Sequence, residues 1–198
     1  MLSNIDQYMK QKQDENHFAV SALVKQMGSV AYKSLLHSVR DGETVRIKRG
    51  VYARVDQLAD TMIDVEAVVP GGVLCSFSAW NVHGLTTALP QAYHVAVVRG
   101  RKVVLPVYPQ LVIHHISAPL LGLGVEKMMV SGYTVSVYNK ERCVCDAVKF
   151  RSKVGMDICS EVVNSYLACP NRNLSLLMDY AESLRVRRLL EQYLAIKL

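Results

Sequence analysis

The sequence predicts an α+β protein, with a winged helix-turn-helix over residues 1–58 and a mixed α+β domain over 59–198 whose strands come first and helices last. Three observations carry this. Two short helical patterns, broken at Gly28-Ser29, lead straight into a basic hairpin. Apolar residues then recur with period two between Val73 and Tyr138. From Asn139 onward their spacing is helical.

In chain order, Ser3 can cap a first helix over Asn4–Gln13, which the polar segment Asp14–His17 ends. Ser21 opens a short helix over Ala22–Met27. A third runs from Val30 to Arg40 with Ala31, Leu35, Leu36 and Val39 at core spacing, and Asp41-Gly42 stops it.

The next stretch, VRIKRGVYARV over Val45–Val55, fixes its own register. A two-residue turn at Arg49-Gly50 would pair Val45 with Arg54 and Lys48 with Val51, mixing apolar and charged side chains on both faces. A three-residue loop, Lys48-Arg49-Gly50, pairs Ile47 with Val51 and Val45 with Ala53 on one apolar face. Arg46 then lies opposite Tyr52, and Thr44 opposite Arg54, on the other. That loop needs a left-handed last residue, where Gly50 carries no steric penalty. The expected hairpin sits on a core and points Lys48 and Arg49 outward.

A connector helix from Asp56 to about Val68 ends at Pro70-Gly71-Gly72, near the boundary of the second domain. Beyond it, Val73–Cys75 reads as a short strand, and Ser76 or Ser78 caps a helix through His83. Tyr93–Val98 and Leu111–Ile116 read as strands. Val125–Val130 and Tyr133–Tyr138 read as a hairpin turned at Ser131-Gly132. Asn139 caps a helix over Glu141–Arg151, followed by helices over Asp157–Ala168, Leu174–Leu184 and about Val186–Ile196.

Composition excludes disorder: 51% of the 198 residues are hydrophobic and 20% charged. The long uncharged runs Ala67–Val98 and Val103–Val125 are interrupted by prolines, glycines and His114-His115, so they read as buried strands with turns, not membrane spans. Five cysteines and no secretory signal indicate a reducing, cytoplasmic setting without disulfides. The net charge of +6 suits a polyanionic partner. The excess is concentrated at the N-terminal end, where residues 1–55 hold nine Lys/Arg against five Asp/Glu.

These features point to double-stranded DNA. A helix fits the major groove, and a basic hairpin reaches a neighbouring backbone or minor groove. On the third helix, Lys33 and Arg40 would hold phosphates or guanine edges, Ser29 would cap near phosphates, and Tyr32 and His37 would touch base edges or sugars. Arg46, Lys48 and Arg49 would be the wing. The competing reading is a solvated helix face beside a solvated hairpin. Three further basic clusters, Arg99/Arg101/Lys102, Lys149/Arg151/Lys153 and Arg185/Arg187/Arg188, are candidate phosphate contacts or solvated faces.

Several segments resemble one family. KRGVY (Lys48–Tyr52), SFSAWNVHGL (Ser76–Leu85), PQAYHVAV (Pro90–Val97), ERCVCDAVKFR (Glu141–Arg151) and DYAESLRVRRLLEQYL (Asp179–Leu194) are similar, in order and spacing, to the AbiEi antitoxins of type IV toxin-antitoxin systems. The resemblance implies a winged helix that binds inverted repeats in its own promoter and a C-terminal domain that counters a nucleotidyltransferase toxin without needing a stable complex. The motif positions it carries over are Arg49, Gly50 and Tyr52 in the wing, Ser78, Gly84 and Leu85 in the second domain, and Asp146 in its helix. Cys143 and Cys145 depart from the commoner pattern. A solitary regulator, or a binding module without a toxin, is the alternative.

No enzymatic constellation, cofactor or metal is expected. Cys143 and Cys145, two positions apart on a helix, point about 200° apart and cannot share a metal ion. His114 and His115 face opposite ways on a strand. No P-loop or dinucleotide fingerprint is present. Ser78 lies in no nucleophile elbow, so Ser78, His83 and Asp146 read as helix cap and buried polar groups. Two copies on a palindrome would suit one winged helix per chain.

Overall fold

The computed structural model describes residues 18–59 and 62–197. The expected first helix, Asn4–Gln13 with its Ser3 cap, lies outside them. The chain is of the α+β class. It divides into two compact units: residues 1–72 with 102–111 and 128–135, and residues 73–101 with 112–127 and 136–198. The first unit therefore extends beyond the expected boundary at residue 58, through the connector to Gly72, and takes in two segments from later in the chain.

In the first unit, strand β1 (Ala19–Val20) leads into helices α1 (Ser21–Gln26) and α2 (Ser29–Arg40), then strands β2 (Thr44–Lys48) and β3 (Val51–Arg54). β3 is central in an antiparallel sheet of order β1-β3-β2. β1 was not expected. Two residues are too few to show a period, and Ala19 and Val20 become a strand by pairing with Tyr52 and Val51. Both helices lie over this sheet: Ala19, Val24, Ala31, Leu35 and Tyr52 form one buried cluster, with Tyr32 and Val39 packed against it. Leu36, assigned to the core by spacing, is 44% exposed, because the packed arc of α2 is Ala31, Tyr32, Leu35 and Val39 and Leu36 falls beyond its edge.

The expected connector helix is two short pieces, a 3-10 turn (Asp56–Ala59) and α3 (Val65–Val68). Asp64 is the reason: its carboxylate accepts Ala67 N–H at 2.9 Å, starting a new helix, and also the backbone N–H of Phe18 at 3.0 Å. One buried side chain thus ties Phe18, the first described residue, to the start of α3.

In the second unit, β4 (Val73–Leu74), α4 (Ser76–Val82), β5 (Tyr93–Val98), β6 (Leu111–Ile116), α5 (Ala118–Leu121), β7 (Val125–Val130) and β8 (Tyr133–Tyr138) follow. They form a five-stranded sheet of order β6-β5-β4-β8-β7, in which β4 pairs antiparallel with β5 and parallel with β8. Residues 128–135, the outer part of the β7–β8 hairpin, group with the first unit. Ser131 and Gly132 turn it in left-handed conformations, φ 48° and 82°, as a two-residue hairpin turn requires.

Within the run Val103–Val125, read as buried strands with turns, the segment 103–109 is not buried strand. It is instead a loop with Val104, Leu105, Val107 and Tyr108 exposed. Five helices close the chain: α6 (Lys140–Lys149), α7 (Arg151–Val154), α8 (Met156–Ala168), α9 (Leu174–Ser183) and α10 (Arg187–Lys197). Asn139 caps α6 as expected, accepting Arg142 N–H at 3.0 Å. Neither Ser76 nor Ser78 caps α4, whose N-cap position is Cys75. Ser78 is buried within α4, and its hydroxyl accepts His94 N–H at 2.8 Å, tying helix to strand. α6 is buried from Glu141 to Val148 because α4, α8 and α9 all pack on it.

Candidate nucleic-acid interface

Helix α2 begins at Gly28, whose φ of 110° and ψ of 167° no L side chain adopts without strain. No side chain caps this start and no acidic residue lies in its first turn, so the amide end of the helix is electrostatically open. Ser29 was expected as the cap. It is instead the first helical residue, exposed beside those amides.

With Ala31 and Leu35 held against the sheet, the opposite face of α2 presents Lys33, Leu36, His37 and Arg40. These four line one shallow depression of about 250 Å³. Their spacing of three, four and seven residues puts them on a single stripe. Val30, 71% exposed, extends the surface toward the open helix start. Tyr32 is not free for bases: it is half-buried against the core, with the Lys25 ammonium 4.7 Å from its ring centre.

The hairpin pairs Thr44 with Arg54, Val45 with Ala53 and Arg46 with Tyr52, as expected, but the register shifts at the tip. Lys48, not Ile47, pairs with Val51, and Ile47 is bulged. Ile47 is buried and its carbonyl accepts Val107 N–H at 3.3 Å. The expected division into one apolar and one polar face fails too. β3, as the central strand, is buried on both sides at Val51, Tyr52 and Ala53, while Val45 is 41% exposed.

Two proposed wing contacts are therefore corrected. Tyr52 is a core residue beneath α1 and α2, because it sits on the covered face of the central strand. Lys48 is half-buried and its ammonium donates to the carbonyl of Val68, so it is spent within the unit. Arg49 is exposed at the tip. Arg46 is exposed too, its guanidinium folded back to the Lys48 carbonyl at 3.4 Å. Gly50 has the left-handed φ of 83° that the turn needs, and its carbonyl accepts Ser21 N–H at 2.8 Å. Ser38 and Thr44 hydroxyls, 2.6 Å apart, lock the end of α2 to the start of β2. Residues 18–55 hold seven Lys/Arg against two Asp/Glu, and Lys33, Arg40, Arg46 and Arg49 are all exposed.

Comparison with protein-family models and with curated protein sequences finds no match to this chain.

In the second unit, Ser78, His83 and Asp146 are each engaged elsewhere: Ser78 with His94, His83 Nε2 with the Tyr138 carbonyl at 2.8 Å, and Asp146 with Arg142 at 3.0 Å. Burial pushes the Asp146 carboxyl above its ordinary range, and the Arg142 guanidinium opposes this. Gly84, at φ 65°, turns the chain after α4, and Leu85 behind it is fully buried with its N–H on the Trp80 carbonyl. These motif positions carry folding roles.

Sequence reasoning missed Arg142. It is 1% exposed, stacks over the Tyr138 ring at 4.3 Å and donates to the Leu120 and Leu123 carbonyls at 2.9 and 3.1 Å. Its spacing of four from Asp146 was the available signal. Also missed was the pair His94–His114, stacked at 5.2 Å with Nδ1 and Nε2 3.0 Å apart. Four cysteines are buried and Cys169 is half-buried, all as free thiols. Among the described residues no group of three or more His, Cys, Asp or Glu is placed to hold a metal ion, and no helix is long and apolar enough to cross a membrane.

Of the three basic clusters, Arg99 is exposed and Arg101 half-buried in the turn after β5, while exposed Lys102 groups with the first unit. Lys153 lies 5.9 Å over the Phe150 ring. Arg187 is ion-paired with Glu191 and Glu182 at 3.0 and 3.5 Å.

Proposed function

We propose that this chain is a DNA-binding transcriptional repressor of the AbiEi kind, autoregulating its operon as the antitoxin of a type IV system against a nucleotidyltransferase toxin. One observation carries the DNA part: a helix pinned by Ala31 and Leu35 displays Lys33, Leu36, His37 and Arg40 as one outward stripe, and a hairpin with exposed cations follows it directly. The order strand, helix, helix, strand, strand, with the last strand central in the sheet, supports a winged helix-turn-helix. In this reading α2 enters the major groove, Lys33 and Arg40 meet phosphates or guanine edges, and His37 and Leu36 meet base edges and thymine methyls. The open amide end at Ser29 faces a phosphate. Arg46 and Arg49 hold the adjacent backbone. Tyr52 and Lys48 position the wing without touching DNA.

The test is fluorescence anisotropy with the upstream promoter duplex over a range of salt concentrations. Lys33→Ala/Arg49→Ala removes two phosphate contacts and should flatten the slope of log K against log salt by about 1.8, at about 0.9 per phosphate. An unchanged slope and affinity would reject this surface. The antitoxin part is tested by the neighbouring gene: rescue of growth from an adjacent nucleotidyltransferase supports it, and absence of such a gene makes the chain a solitary regulator.

A further inference from the structure

Within the second unit, the end of α6, the start of α7, the link from α9 to α10 and the first turns of α10 enclose a cleft of about 550 Å³. Its lining has four cations, Lys149, Arg151, Arg185 and Arg188. The remaining lining is Gln192 with the aliphatic Leu184, Val186 and Leu189. No carboxylate lines it, and among the described residues no ion pair engages any of the four cations. Arg187 shows the contrast: it lies outside the lining and is neutralised by Glu182 and Glu191.

The backbone adds an independent sign. Arg185 has φ +58°, at the position that ends a helix and favours glycine. The conformation is fixed by Arg185 N–H to the Glu182 carbonyl at 3.0 Å, Val186 N–H to the Ala181 carbonyl at 2.8 Å, and burial of Leu184 and Val186 on either side. Arg185 itself is exposed, so packing does not demand an arginine there. A disfavoured side chain held at a cleft rim marks a position where the side chain, not the backbone, is used.

We infer that this cleft binds an oligophosphate chain, free or as part of a nucleotide, through Lys149, Arg151, Arg185 and Arg188. Three guanidinium groups suit phosphate oxygens, which they grip two at a time, and four positive charges balance a triphosphate. The lining has no aromatic ring on which a base could stack and a single amide to read one, so recognition falls on the phosphates. The cleft shares no residue with the stripe on α2.

The experiment is calorimetric titration of the full chain with inorganic tripolyphosphate, pyrophosphate, phosphate, sulfate and ATP. Tripolyphosphate should bind at least tenfold more tightly than phosphate or sulfate, with ATP within about threefold of tripolyphosphate. Arg185→Gly should weaken binding at least fivefold while leaving Tm equal or higher, since glycine relieves the left-handed strain. Arg188→Ala should also weaken it, and Arg187→Ala should change it less than twofold. Equal affinity for phosphate and tripolyphosphate, unchanged binding in Arg185→Gly, or binding of ATP without tripolyphosphate would each overturn the inference. So would loss of promoter binding in Arg185→Gly with no tripolyphosphate bound by the wild type, which would assign the cleft to DNA backbone.

Discussion

Two polar pairs in the second unit, one buried and one half-buried, make residue-level predictions. Arg142 and Asp146 are both almost fully enclosed, and Arg142 also satisfies the Leu120 and Leu123 carbonyls. Arg142→Ala strands a buried carboxylate and two carbonyls, so urea denaturation should show a loss of about 3–5 kcal/mol. Arg142→Met/Asp146→Leu should recover part of this. Recovery stays incomplete, because the two carbonyls remain without a donor. The second pair is His94–His114. Burial first, then His114, lowers the His94 pKa to about 4, and burial followed by Lys153 and His115 lowers that of His114. Each folded pKa lies below the unfolded value near 6.5, so the unfolded chain takes up protons first as pH falls. Stability is therefore full above about pH 6.5 and declines toward pH 4. The urea midpoint of the wild type should fall across that window, and His94→Asn/His114→Asn should lose much of the dependence.

At the scale of elements, two glycine turns show how local backbone sets what packs. Gly124, at φ 74°, lies where an added Cβ would come within 2.8 Å of Arg142 Cβ, 2.9 Å of the Asn139 amide oxygen and 3.1 Å of the Tyr180 ring. Its carbonyl also accepts Asn139 N–H at 2.7 Å, holding the residue that caps α6. Gly124→Ala should cost about 2–4 kcal/mol, from overpacking and left-handed strain together, read as a drop in Tm. Gly50 by contrast meets only the Ser21 hydroxyl, at 3.2 Å. Element existence was legible wherever a period ran for six residues or more. The bounds of β5, β6, β7 and β8 follow the alternation directly, and α6 starts next to its asparagine cap. The bulge at Ile47 was not legible, because the competing loops differ only in how Ile47 is used once something covers it. Nor was the break in the connector, which depends on Asp64 reaching the N–H of Phe18, 46 residues away.

At the scale of the whole molecule, with a net charge of +6 and an N-terminal excess of cations, the DNA binding proposed above should weaken steeply with salt. The chain's division into units is less simple than a cut at residue 58, since segments 102–111 and 128–135 return to the N-terminal unit. Short-range pattern cannot show such returns, because they are made by contacts between residues far apart in sequence. What the sequence alone determined is the α+β class, the succession of most elements and the cationic stripe of α2, because each follows from periodicity and composition within a few turns of chain. Tertiary structure alone decided that Tyr52 is core, that Lys48 is spent on Val68, that Arg142 is a buried hub and that Arg185 sits strained beside a cationic cleft. Those roles depend on what lies opposite a side chain once the sheets are covered, and no local spacing encodes that.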